Sequence, residues 1–361
     1  MKKTVIFALI AAMLLGLFCG CGKTETEPAE AAVISFTDST GRTVELPSSI
    51  TRIAPSGAVA TMILAAAAPD YMVCVANEIS EKEAKYIGEG LSELPITGQL
   101  YGSKSTINLE ELLNAKPDVI IDLGDLKKGA AEDLDALQAQ TGIPVIFIQA
   151  DLPNMAEAFR TLGRLLDGKS ERCEAIASYV DETTALYEKN APLIPEAERV
   201  SVMYTTGASG LNTNAKGSSQ AQVIDLIGAE NAVVVEEVSN KGGGNTINME
   251  QLYIFDPDVI IFTDDSICAE VAGDEAWQQL SAVQSGRCYE IPCAPYNWMS
   301  GPPSMNMLLG VRWLGNLLYP ELYAYDMVAE TQRAYKLLWN CELSEAEARE
   351  LLAGSTLKRA E

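Results

Sequence analysis

The chain has 361 residues, 48% of them apolar, enough for one large core or two of medium size. Fifty acidic residues against 26 basic ones leave a net charge of −24 with no basic run, so nucleic acid is repelled over most of the surface and is excluded as a partner. With no histidine there is no Ser-His or Cys-His nucleophilic pair, and neither a P-loop nor a GxGxxG follows a strand. The chain does not read as an enzyme and implies no cofactor.

Residues 1–20, MKKTVIFALIAAMLLGLFCG, carry two lysines and an apolar run too short to span a membrane, the pattern of a secretory signal. Phe18-Cys19-Gly20-Cys21 resembles a bacterial lipobox with Cys21 as the lipidated residue, and the polar stretch 21–32 is a tether that has too little apolar surface to fold. The expected product is exported and held on the extracytoplasmic face of the membrane by its acyl chains. Export permits disulfides, yet Cys74, Cys173, Cys268, Cys288, Cys293 and Cys341 form no dense framework. They read as buried thiols, with pairing of Cys288 and Cys293 left open.

From Thr43 onward, short apolar runs alternate with helical patterns. Arg52–Pro55, Met72–Ala76 and Pro144–Ile148 read as strands in the first half, with a helix ending near Gly142. Val200–Thr205, Asn231–Val235 and Cys288–Ile291 read as strands in the second, with a helix over Ala221–Ile227. Within this series 107–125, INLEELLNAKPDVIIDLGD, is repeated at 247–265, INMEQLYIFDPDVIIFTDD, with ten identities in nineteen positions. In each copy an Asn stands three residues before Glu or Gln, as in a capping box, a proline ends the helix, and DVII follows as a strand buried on both faces. Duplicated helix–strand units predict an α/β fold of two Rossmann-like lobes with parallel central sheets.

Ser170–Asn190 carries a helical stripe of Ala175, Ile176, Tyr179, Val180, Leu186 and Tyr187. Twenty-one helical residues extend about 30 Å, enough for a rigid strut along both lobes. The expected divisions are therefore a first lobe at 33–152, connecting helices at 153–192, a second lobe at 193–325 and C-terminal helices and tail at 326–361. Ser304 opens a long apolar helix that Pro320 stops, and Ser344 with Glu347 opens a short last one.

Capping does not account for Glu110 and Glu250, which sit at the same place in the first turn of the two repeated helices. An acid there favours the helix dipole by about 0.3–1 kcal/mol. On the NLEELL…KPDVII element the chain resembles the substrate-binding proteins of ABC importers for iron siderophores, haem and cobalamin, over nearly everything from Ile34 to Tyr319. The resemblance implies two lobes joined by a rigid helix, with Glu110 and Glu250 docking on the membrane permease.

Open α/β sheets bind ligands beyond the carboxyl ends of their strands, which places a cleft between the loops of the two lobes. The resemblance implies that these loops line it, with Ser56 and Gly57, then Tyr101 and Lys104, then Tyr204, Thr206, Asn214, Ser218 and Ser219, then Lys241, and finally Tyr296 and Trp298 as contacts. Tyr101 and Trp298 are candidate aromatic platforms. Helix starts after Ser56 and after Ser218-Ser219, with Lys104, Lys216 and Lys241, favour an anion. The expected guest is an iron complex carried by a monomer to its permease, with a molybdate-type oxyanion or a corrinoid as alternatives. Without histidine, a naked metal ion is not the expected ligand.

Overall fold

The computed structural model describes residues 32–101, 106–240 and 243–355. The signal segment, Cys21 and nearly all of the tether lie outside them. Val33–Thr37 (β1) pairs with Thr43–Pro47 (β2), and the buried Ile53–Pro55 (β3) runs through Ser56-Gly57 into the helix Ala58–Ala67 (α1). Met72–Ala76 makes two isolated parallel bridges, Ile53 to Met72 and Val75 to Ile96, in place of the expected strand. It changes partner part-way, so no continuous ladder forms. Glu81–Ile87 (α2) opens on a capping box of Ser80 with Glu83.

Asn108 accepts from the Glu111 N–H at 3.2 Å and opens Leu109–Ala115 (α3). Lys116 then turns left-handed at φ 51°, because Pro117 disfavours helical geometry in the residue before it, and Val119–Gly124 (β4) follows, buried throughout. Ala130–Thr141 (α4) stops at Gly142 (φ 70°), and Val145–Gln149 (β5) completes a parallel sheet in the order β3-β4-β5. Ile121 is the register partner of both Pro55 and Ile146.

Met155–Leu165 (α5) and Ser170–Asn190 (α6) pack lengthwise. Ile176, Tyr179 and Val180 are buried as expected, but Ala175 is exposed and Leu186 and Tyr187 are only half-buried. Cys173, Ile176, Ala177, Val180 and Thr183 form the true contact stripe. Gly163 on α5 sets this rotation, since a Cβ there would lie 2.9 Å from the Cys173 Cβ.

The second half contributes Ser201–Thr206 (β6), Asn212–Thr213 (β7), Gln222–Leu226 (α7), Glu230–Asn231 (β8) and Asn245–Thr246 (β9). Met249–Phe255 (α8), Val259–Phe262 (β10) and Cys288–Glu290 (β11) follow. Asn248 caps α8 reciprocally with Gln251, at 2.9 and 3.0 Å, whereas the first copy shows only the Asn108 half of its box. Asp256 repeats the left-handed residue before proline (φ 32°).

Strands β6, β10 and β11 are parallel, so the repeated strand is central in both sheets: β4 between β3 and β5, β10 between β6 and β11. The second sheet is not wholly parallel as expected. The short β7 joins the end of β6 in antiparallel pairing and β9 pairs in turn with β7, while β8 pairs with the start of β6. The strand expected over 231–235 is reduced to β8, because Asn231 bonds the Asn214 carbonyl (2.9 Å) and the Val233 N–H (3.0 Å) through its side chain.

Asn306–Leu318 (α9) starts two residues later than Ser304 and is followed by Met327–Trp339 (α10) and the capped Glu345–Leu351 (α11). Contacts gather the described residues from Ile34 onward into one unit, whose largest apolar core draws on both halves and on the C-terminal helices. The six cysteines from Cys74 to Cys341 are free, and burial pushes the Cys288 and Cys293 thiols up to about 12.

A charged cluster ties α6 to α9 and α10. The Arg312 side chain, 4% exposed, donates to Thr183 Oγ1 at 2.9 Å and Glu182 Oε1 at 3.0 Å and lies 3.3 Å from Glu330. It stacks 4.7 Å from the Tyr179 ring, whose hydroxyl donates to Glu330 at 2.9 Å. Arg333, with help from Arg312, holds the Glu182 carboxyl down to about 2, below its ordinary 4.5. A carboxylate depressed on folding stabilises the fold above its unfolded value and loses that contribution as pH falls through the folded one. Stability should therefore decline between about pH 4.5 and 2, and Glu182→Gln should flatten that part of a thermal-melt pH series; an unchanged slope would refute the coupling.

Candidate functional site

The turn from β3 to α1 sets the first wall of a cleft. Pro55-Ser56-Gly57 leaves the sheet, the Ser56 N–H donates to Ile121 O at 3.2 Å, and the first turn of α1 faces the opening with Gly57, Ala58 and Val59. Ser56 O accepts from the Leu100 N–H at 2.8 Å, which brings Gln99 and Tyr101 to the same wall. Asp122 within β4, and Asp125 and Lys127 beyond its carboxyl end, complete this side. Ser219, Gln220, Asn240, Pro302 and Pro303 form the facing wall, and the enclosed volume is about 410 Å³.

Asp122 sits in β4, which is otherwise apolar as far as Gly124, and is 3% exposed. Ser56 Oγ donates to its Oδ1, and its Oδ2 has no partner among the described residues. Burial raises its pKa, against the opposing pull of the Ser56 hydrogen bond and the Lys127 charge. Lys127 Nζ lies 4.4 Å from the centre of the Tyr101 ring. Burial raises the Tyr101 hydroxyl, and the nearby Asp122 and Asp133 charges act in the same direction. On the facing wall the Ser219 N–H donates to Asn240 Oδ1 at 2.9 Å, and the Gln220 N–H to Ser218 Oγ at 3.2 Å. Gln220 Oε1 is buried without a partner.

Of the residues expected in the cleft, Ser56, Gly57, Tyr101 and Ser219 line it. Ser218 is buried behind, donating to Ser239 O at 3.3 Å. Tyr204 lies beneath the wall, its hydroxyl accepting from Asn297 Nδ2 at 3.0 Å, and Asn214 is wholly buried. Trp298 is not a platform: it is 0% exposed and packs on Tyr335 in the core. Thr206 belongs to the β6–β7 pairing. Tyr296 lines an adjoining pocket of about 160 Å³ that shares Ala58 and Pro302 with the cleft and holds Glu78 and Glu83.

Lys104 and Lys241 lie outside the described residues. Lys216 lines a different cavity and pairs with Glu230 at 3.5 Å. The helix expected after Ser218-Ser219 starts at Gln222 and has five residues, and the Ser219 and Gln220 N–H groups before it are already bound to Asn240 and Ser218. Asp122 was the residue the repeat pointed to without naming: the second copy has Phe262 at that place, packed 5.8 Å from Trp277 in the core. An acid where its twin is a core aromatic is a residue kept for something other than packing.

Glu110 and Glu250 are both exposed in the first turn of their helices. Each shares its outward face with apolar residues, Leu113 in the first copy and Tyr253 and the 81%-exposed Ile254 in the second. Among the described residues no helix is long and apolar enough to cross a membrane.

A family model for periplasmic binding proteins matches residues 54–295. The chain belongs to the periplasmic binding protein family. This binding protein is 21% identical over 338 residues to the uncharacterized ABC transporter substrate-binding lipoprotein YvrC of Bacillus subtilis (strain 168), covering 89% of this chain and 99% of that one. Among solved structures, an ABC transporter solute binding protein from Sulfurospirillum deleyianum is 30% identical with a TM-score of 0.80, over 88% of this chain and 99% of that one. A periplasmic solute binding protein from Veillonella parvula is 25% identical with a TM-score of 0.73, over 91% and 99%.

Proposed function

We propose that the protein is an extracytoplasmic substrate-binding lipoprotein of an ABC importer that captures an iron complex of the siderophore type and delivers it to the permease as a monomer. The signal at 1–20 directs export, lipidated Cys21 anchors the chain, and 21–32 tethers it. The guest is held between a first lobe at 33–152 and a second at 193–325, which the helices of 153–192 connect. The B. subtilis relative, named as a lipoprotein of an ABC transporter, supports this reading.

The observation that carries the ligand class is the cleft itself. Its volume of about 410 Å³ lies in the range of sites for organic ligands and chelates, larger than a lone tetrahedral oxyanion needs. Asp122 and Asp125 line it, and carboxylates repel molybdate. Native mass spectrometry of the protein purified from its own host is expected to show a mass increment that carries the iron isotope pattern. An apo protein that binds molybdate at micromolar concentration, and no ferric chelate, would overturn the reading.

A further inference from the structure

Three buried polar atoms of the cleft have no hydrogen-bond partner among the described residues: the Tyr101 hydroxyl, which can donate or accept, and two oxygens that only accept. Asp122 Oδ2 belongs to the first wall and Gln220 Oε1 to the facing one, on residues 3% and 7% exposed. An acceptor left unpaired in a buried place costs free energy, so a guest that donates to it gains affinity by removing that cost. Among the described residues of the cleft the charges point the same way. Asp122 and Asp125 stand against Lys127 and the start of α1, which is worth about half a charge. Lys127 is the only base among the described residues of the cleft, and it is already engaged over the Tyr101 ring. The adjoining pocket adds Glu78 and Glu83.

We infer that the ligand of this cleft is neutral or positively charged overall and presents N–H or O–H donors to Asp122 Oδ2 on one wall and Gln220 Oε1 on the other. This rests on the binding-protein reading above and narrows it: an anionic chelate meets two carboxylates at the first wall, whereas a donor-bearing one satisfies both orphan acceptors at once. The paired placement also supplies a fit condition, since only a guest that bridges the walls reaches both atoms.

Titration calorimetry on the full mature chain tests this with four probes: a ferric trihydroxamate bearing a free ammonium group, a ferric tris-catecholate whose dianionic rings outweigh the metal charge, cyanocobalamin with its ring of carboxamides, and molybdate. The trihydroxamate is expected to bind more tightly than the tris-catecholate. Asp122→Asn, which keeps the size and the Ser56 contact but replaces the free acceptor by a donor, should weaken it roughly tenfold or more. Gln220→Leu should weaken it by a similar factor, and circular dichroism melts show whether either variant has lost its fold. Tighter binding of the tris-catecholate or molybdate, or a folded variant of either residue with unchanged affinity, overturns the inference. Binding of cyanocobalamin alone supports the inference and overturns the iron reading. No binding by any probe overturns both.

Discussion

Replacing Arg312 by alanine is expected to lower the unfolding free energy by about 3–5 kcal/mol in urea denaturation, the usual cost of leaving a buried charge without its partner. Arg312 fits that description closely. Its side chain is 4% exposed, and it stands between Glu330, 9% exposed, and Glu182. With the guanidinium gone, Glu330 keeps the Tyr179 hydroxyl at 2.9 Å and the more distant Arg333 at 3.5 Å, and Thr183 Oγ1 loses its donor. The Tyr179 ring also loses the nearer of its two stacked cations, keeping Arg333 at 5.2 Å. Because the cost comes from the stranded acid, Arg312→Met combined with Glu330→Gln should recover most of it: the methionine fills the volume and the glutamine still accepts from Tyr179. A single variant within about 1 kcal/mol of the parent would mean that water reaches Glu330 and that the cluster does not hold the long helix.

The double variant Glu110→Ala, Glu250→Ala is expected to abolish uptake while ligand affinity stays within about twofold. Both acids are exposed, neither lines the cleft, and each is flanked by solvent-facing apolar side chains. Leaving a charged group on a partner without its acid costs about 2 kcal/mol or more, so losing two weakens docking roughly a thousandfold. The single variants should each lose part of the activity, since the two helices present equivalent groups. Uptake measured in the native host with the radiolabelled chelate, beside calorimetry on the soluble chain, separates the outcomes. Unchanged uptake would leave the acids as helix-dipole partners alone, and lost affinity would reassign them to the fold.

Local rules carried much of the architecture. The repeat, its Asn caps, the helix-ending prolines and the DVII strands are short-range features, and each was legible because a capping side chain or a proline acts within a few residues of its own position. The 21-residue helix at 170–190 was equally legible in extent, but not in the face it buries, since Gly163 on a neighbouring helix set the rotation. The strand read at 231–235 failed for a similar reason: Asn231 found side-chain partners that no periodicity announces.

The cleft was legible as a place and less so in its residues. Loops beyond the carboxyl ends of strands were expected to form it, and of the residues named on them Ser56, Gly57, Tyr101 and Ser219 line the cavity. Trp298 and Tyr204 went into the core because a large apolar ring gains more from burial than from a half-exposed wall. By itself, then, the sequence determined the duplicated α/β units, the capped helix starts and the pair of equivalent acids, all consequences of contacts between near neighbours in the chain. Only the tertiary structure decided that Asp122 and Gln220 face one cavity with unpaired oxygens and that Arg312 closes a buried cluster on α6. Those depend on which distant segments meet, and a pairing across 98 or 130 residues leaves no local mark.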